Sequence, residues 1–361
     1  MGKWHKDIAI LALVSILVAT LAGCGCAGER KEGIFADPHL EAAIREAIGK
    51  PEGEIQPPDL GSLTELDAGA RNISDLSGLE HCTSLTKLDL FANRIRDISP
   101  LCSLTSLTFL DLMDNRVNDI AALSGLTALT DLALRYNQID DLSPLANLTS
   151  LRILDIGENG ITDITPLVNL TSLTWLVLTL NHVENISPIS NLTNLTTLYL
   201  MGNEIRDISP LASLPSLTDL HLDSNEIEDI RPLSNLTDLT TLYLGNNQIE
   251  DITPLGNLTS LTQLFLDGNE IEDISPLKDL VNLSEVGLSG NRISNVTALA
   301  NLTNLFSVYL DGNKVDDIAP LVDNEGLSEG DEIELSGNPL SSESINVCIP
   351  QLEARGVVVL W

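Results

Sequence analysis

The sequence predicts an α/β solenoid, with a curved parallel β-sheet on the concave side, short 3₁₀ or helical turns on the convex side and a helical cap at each end. Three observations predict it. Asparagines stand at 93, 115, 137, 159, 181, 203, 225, 247, 269, 291 and 313, each 22 residues after the one before. Leu85, Leu107, Leu129 and onward to Leu305 keep the same step. Leucine supplies 67 of the 361 residues and aromatics only 3%, so one aliphatic side chain must fill the core by repetition.

Residues 1–23 read as an address. Lys3 and Lys6 precede an almost wholly apolar run from Ile8 to Leu21. A membrane span needs ~20 such residues, so the run fits the apolar middle of a secretory signal. It ends Leu21-Ala22-Gly23-Cys24, which resembles the lipobox of bacterial and archaeal lipoproteins. That resemblance implies cleavage before Cys24 and a lipid on its sulfur, with residues 24–33 as a tether. A plain signal peptide or a signal anchor is the alternative.

Residues 34–62 are expected to form the N-terminal cap. Asp37-Pro38 can start a helix with Leu40, Ile44 and Ile48 on one stripe, ending at Gly49. Residues 63–327 carry the 22-residue unit L-x-x-L-x-L-x-x-N-x-I-x-D-I-S-P-L-x-x-L-T-x, the signature of a leucine-rich repeat. In each unit two leucines, such as Leu198 and Leu200, alternate with outward residues as a short strand does. The asparagine, Asn203 in that unit, should turn inward and satisfy the backbone of the bend. Ser209-Pro210 and its counterparts read as a cap followed by Pro at the first position of the convex turn. The ends depart from the pattern. Arg71 occupies the first Asn position, and three extra residues delay the last Asn to 338. Residues 328–361 then form a degenerate last repeat and a C-terminal cap. Its helix would start at Ser342, point Ile345, Ile349 and Leu352 inward and be interrupted by Pro350, with a final strand from Val357 to Trp361.

Composition excludes some functions. The formal net charge is −33, which repels phosphate backbones and argues against nucleic acid. The five histidines and Cys82, Cys102 and Cys348 show no metal-ligand spacing, and no phosphate loop or nucleophile elbow is present. The expectation is therefore no enzyme, no metal and no cofactor. Asp97, Asp119, Asp141, Asp163, Asp207, Asp229, Asp251, Asp273 and Asp317 form a ladder four residues after each Asn. Acidic ladders can bind Ca²⁺, but such an Asp more often accepts bonds from the turn that follows it.

The concave face holds the candidate site. Three positions in each unit point into it: the third, fifth and seventh from the first Leu. Of the nine aromatics between 63 and 338, seven occupy those positions: Phe91, Phe109, Trp175, Tyr199, Tyr243, Phe265 and Tyr309. The fifth position runs Asp89, Asp111, Ala133, Asp155, Val177, Tyr199, His221, Tyr243, Phe265, Gly287, Tyr309, acidic first and aromatic later. Asp223, Asp267 and Asp311 flank the aromatic part. At ~4.8 Å per strand, the stripe from Trp175 to Tyr309 spans ~30 Å, the size of a protein or peptide contact. Rings beside carboxylates suit a partner with apolar and basic groups. The plainer alternative is that the rings suit strands and stack on each other. The chain is expected to act as a monomer.

Beyond the repeat itself, the chain resembles internalin-type leucine-rich repeat proteins. The likeness rests on the 22-residue units and on Phe35-Ala36-Asp37-Pro38 through Gly49-Lys50-Pro51. Asn338-Pro339-Leu340 and Leu352-Glu353-Ala354-Arg355-Gly356 are similar to the C-terminal caps of related prokaryotic surface proteins. The resemblance covers roughly residues 34–361. It implies a protein displayed on the cell surface that binds other proteins through its concave face. A structural envelope protein without a single partner is the alternative.

Overall fold

The computed structural model describes residues 33–361, of which Ile34–Trp361 form one compact body. The export segment, Cys24 and nearly all of the tether lie outside the described residues. Fourteen three-residue strands make one sheet, every neighbouring pair parallel and in chain order. They are β1 (Glu65–Asp67), β2 (Lys87–Asp89), β3 (Phe109–Asp111), β4 (Asp131–Ala133), β5 (Ile153–Asp155), β6 (Trp175–Val177), β7 (Thr197–Tyr199), β8 (Asp219–His221), β9 (Thr241–Tyr243), β10 (Gln263–Phe265), β11 (Glu285–Gly287), β12 (Ser307–Tyr309), β13 (Glu332–Glu334) and β14 (Val358–Leu360).

The repeat dictates the register. Residues 22 apart pair directly, as Leu66 with Leu88 and Leu198 with Leu220. The three extra residues widen the step at the end, where Ser307 pairs with Glu332. The middle residue of each strand is buried. Leucines and isoleucines from successive coils stack behind the sheet into one continuous core.

Asparagine staples each coil to its neighbours. Asn203 is 8% exposed. Its Nδ2 donates to the carbonyls of Leu178 (3.0 Å) and Leu200 (2.9 Å), and its Oδ1 accepts from the Val183 N–H (3.0 Å). The same pattern recurs from Asn93 to Asn338. A strand end cannot pair these groups itself, and leaving them buried and unpaired is costly.

The convex turns correct one expectation. The 3₁₀ turn Ser209–Ser213 is not capped by its own serine. Asp207 caps it instead, its Oδ1 accepting from the Ser209 N–H at 2.8 Å. All nine aspartates of that ladder accept the N–H two residues on. The ladder is thus engaged in turn formation.

Both ends of the core are covered. Helix α1 (Pro38–Ala47) buries Leu40, Ala43 and Ile44. Asp37 holds it twice over: Oδ1 accepts from the N–H groups of His39 and Leu40, and Oδ2 accepts from the N–H of Ser74 at 2.8 Å. Burial raises the pKa of that carboxyl, but the backbone N–H groups of Ser74, His39, Leu40 and Asp75 outweigh it and the net shift is downward. Arg71, in the Asn position, pairs with Glu46 of α1 at 2.9 Å. Gly78 has φ +104°, and a Cβ there would stand 2.5 Å from Phe35, so the leading segment presses directly on the first coil. At the other end a π-turn, Ser344–Cys348, precedes the helix Ile349–Glu353, so Pro350 lies in its first turn. Ile349 and Leu352 point inward as expected. Ile345 is only half-buried, because Ser344 takes the inward place and donates its hydroxyl to the Asp316 carbonyl at 2.7 Å.

Candidate binding face

The parallel register places Val177, Tyr199, His221, Tyr243, Phe265, Gly287 and Tyr309 in one row across the sheet. Four of these rings form a ladder. Tyr199 and His221 lie 4.2 Å apart between centroids, His221 and Tyr243 4.2 Å, and Tyr243 and Phe265 4.6 Å with planes only 2° apart. Trp175, in the adjacent row, meets Tyr199 edge to face at 5.6 Å. Gly287 puts a ring-less strand between Phe265 and Tyr309. A Cβ there would stand 2.5 Å from Phe265 and 2.4 Å from the Asp267 carboxylate, so both side chains lean over the glycine.

This packing changes what the stripe offers. The rings cover one another's faces, and Tyr243 is only 7% exposed, whereas Trp175 is 38% exposed. The stripe inferred from sequence as open to water is in large part a self-packed ladder presenting ring edges.

Carboxylates close in from the flanks. The Tyr199 hydroxyl donates to Asp219 Oδ2 at 2.8 Å, and His221 Nε2 lies 2.9 Å from Asp219 Oδ1. Burial first, and then the bond to Asp219, push the Tyr199 hydroxyl well above its usual pKa. Burial, with the charges of Glu285 and Asp223, does the same to Tyr243. Asp223 Oδ1 accepts from the Gly245 N–H at 3.1 Å, and burial pushes its carboxyl up to about 6 against the opposing influence of His221. Asp267 accepts from the Ser289 N–H at 2.9 Å, and its pKa is raised by burial. Asp311 accepts from the Ser289 hydroxyl.

The acidic half lies over β2–β5. Asp89, Asp111 and Asp155 each accept the N–H two residues on, at 2.9, 2.8 and 3.0 Å. Burial raises all three carboxyls, and Asp111 reaches about 6 with the charges of Asp89 and Asp155 adding to it. Beside them Arg135 pairs with Glu158 at 2.5 Å and lies over the Tyr136 ring, 5.1 Å from its centroid.

Trp175 was expected on this face, but the exposed apolar neighbours that surround it were not. Tyr136 (50% exposed), Ile153 (41%), Trp175 and Leu180 (47%) are large apolar side chains left open to water within β4–β6 and the bends that follow them. The signal was present. Tyr136 and Leu180 fill the left-handed position before the Asn, with φ 55° and 53°, where later coils use Gly202, Gly268, Gly290 and Gly312. Among the described residues, no group of three or more His, Cys, Asp or Glu is placed to hold a metal ion.

The sequence matches the family described as leucine-rich repeats (2 copies) over residues 61–103, 105–147, 127–169, 171–213, 193–236, 215–257, 237–279 and 259–301. No protein of curated function matches the chain. Among solved structures, the internalin InlF of Listeria monocytogenes is 37% identical, with 90% of this chain and 95% of that one covered and a TM-score of 0.86. Internalin C2 of the same organism is 39% identical over 58% of this chain and 94% of its own, with a TM-score of 0.57. The plant peptide hormone receptor RGFR1, solved in complex with RGF2, shares the fold at 20% identity, covering 78% of this chain and 57% of its own, with a TM-score of 0.51. Such domains are typical of protein-binding modules. By its repeats, its cap and its match to InlF, the chain belongs to the internalin-type leucine-rich repeat proteins.

Proposed function

We propose that this protein is a non-catalytic binding module, displayed outside the cell on a lipid at Cys24, that takes a protein or peptide on the concave face. The observation that carries this reading is the ring ladder. Trp175, Tyr199, His221, Tyr243 and Phe265 are gathered on the sheet face although the chain has few rings, while aliphatic side chains, leucine above all, fill the core. Asp223, Asp267 and Asp311 border it, and Tyr309 stands beyond Gly287. Rigid rings lose little entropy when a partner settles on them. The internalin relatives and the peptide-receptor structure support a protein ligand.

The test is capture from the organism's surface and environmental proteins. The protein is compared with a variant carrying Trp175→Ala, Tyr199→Ala, Tyr243→Ala and Phe265→Ala, after circular dichroism has shown that both are folded. A partner retained only by the unaltered protein supports the reading. Identical retention would instead favour a structural envelope role, which the self-packing of Tyr243 also favours. Palmitate labelling that persists in Cys24→Ser would refute the lipid anchor.

A further inference from the structure

We propose that the ligand is held chiefly over β4–β6, by a trough in which Ile153 and Trp175 take an apolar side chain while Asp111 and Asp155 take a lysine or arginine of the same segment. This rests on the concave-face reading above and names its partner: a basic, apolar stretch of protein.

Exposure locates the trough. Ile153 and Trp175 pair directly across β5 and β6, and each shows more than a third of its surface to water. The ring ladder beyond them has largely satisfied itself, so an apolar group gains more by landing here. Tyr136 and Leu180 add two further exposed apolar groups on the bends that follow the strands. Ala133 and Gly157 add no large side chain of their own between them, and the stem of Arg135 packs over Gly157, 3.5 Å from where a Cβ would stand.

Charge chooses the partner. Asp111, Ala133 and Asp155 are consecutive in one row, so the two carboxylates stand ~10 Å apart across a small residue. Asp89 and Asp131 continue the negative surface. Of the nearby cations, Arg135 is already paired with Glu158, and Lys87 with Glu65 at 3.3 Å, leaving Arg152 at the rim. An acidic segment would meet repulsion. A basic one would supply the counter-charge that the desolvated Asp111 lacks and would add to the charge of Arg135, which Asp155 shares with Glu158.

The test uses the full-length protein and three short labelled peptides read by fluorescence anisotropy: alternating leucine and lysine, leucine and glutamate, and serine and lysine. The leucine–lysine peptide should bind at least ~10-fold tighter than either control, a difference of ~1.4 kcal/mol. Ile153→Ser with Trp175→Ala should weaken it ~10-fold or more. Asp111→Asn with Asp155→Asn should do the same. That second variant keeps an oxygen for the Met113 and Gly157 N–H groups, so an unchanged or higher melting temperature separates lost binding from lost folding. Failure of the leucine–lysine peptide to bind, equal binding of the leucine–glutamate peptide, or indifference to either double variant overturns the proposal. Binding that survives both trough variants but is lost in Tyr199→Ala overturns the trough and leaves the concave-face reading standing. Binding that survives all three overturns both.

Discussion

Two ladders of aspartate run along this molecule, and they differ chiefly in how deeply their carboxylates are buried. Asp97 in the turn ladder and Asp111 in the sheet ladder each accept an N–H two residues on, both at 2.8 Å. Yet the backbone and side-chain bonds from Ser99 lower the pKa of Asp97, while burial and two like-charged neighbours push Asp111 up to about 6. The backbone bond is the same; the added Ser99 side-chain bond and the surroundings are not. Asp97 is open to water, whereas Asp111 is half-buried. Asp97 therefore contributes to folding as an anion, and Asp111 is ionised at neutral pH against the interest of the fold. A group kept charged at a cost to stability points to use rather than support.

The largest expected effect comes from breaking the frame on which both ladders hang. Asn203→Ala leaves the Leu178 and Leu200 carbonyls and the Val183 N–H without their partner, at ~1–3 kcal/mol for each buried group that finds no water. Chemical denaturation should show a clear loss of stability, and the variant should show it at every pH. A melting curve unchanged by this substitution would mean that the amide ladder is ornamental.

Next comes the turn ladder. Asp97→Ala removes the acceptor at the start of a 3₁₀ turn and should cost about 1 kcal/mol, as lost helix caps do. Its pKa is depressed, so its contribution is present above the unfolded value of ~3.9 and is lost as pH falls through the folded value. The difference between Asp97→Ala and the parent protein should therefore shrink in strong acid and nowhere else.

The sheet ladder should answer with the opposite sign. Asp111→Asn should stabilise the protein at pH 7 by a smaller amount. With a folded pKa of about 6 against ~3.9 unfolded, the parent gains stability as pH falls from 6 toward 4, where the carboxyl becomes neutral. The advantage of Asn should disappear over that interval. The raised sheet carboxyls therefore favour stability at mildly acidic over neutral pH. A denaturation midpoint that declines steadily from pH 7 to pH 4 would contradict the raised values at Asp89, Asp111, Asp155, Asp223 and Asp267.

How much of this was legible in the sequence follows from what each residue answers to. The amide ladder, the stacked leucines and the register are fixed by contacts within one repeat unit or with the next, and 22-residue spacing displays those directly; the Asp37 cap was legible from the local Asp-Pro signal. The turn-forming role of the Asp ladder was read correctly, but Ser209 was also read as a cap, because Ser before Pro is a common start signal and only geometry shows that Asp207 takes that place. The ring row was visible, but not the degree to which Tyr243 would be covered, since that depends on the rotamers of His221 and Phe265. The exposed group at Ile153 and Leu180 was missed because its members come from three coils and two different repeat positions. No single periodic column contains them.

The smallest expected effect lies in the bend beside the trough and separates stability from use. Leu180 is a non-glycine residue at φ 53°, and its side chain reaches over Gly202, where a Cβ would come within 2.5 Å of it. Left-handed backbone costs a side-chain residue roughly 1 kcal/mol, and glycine avoids that while losing more entropy on folding. Leu180→Gly should therefore leave stability unchanged or raise it by a few tenths of a kcal/mol, as the glycines of later coils suggest. The same substitution removes one of the exposed apolar groups near Trp175. If Leu180 serves the fold, the variant should melt lower and bind the leucine–lysine peptide as before. If it serves the trough, the melting temperature should hold while peptide binding weakens. The second outcome is the expected one, because a strained, exposed leucine gives the core nothing that glycine would not.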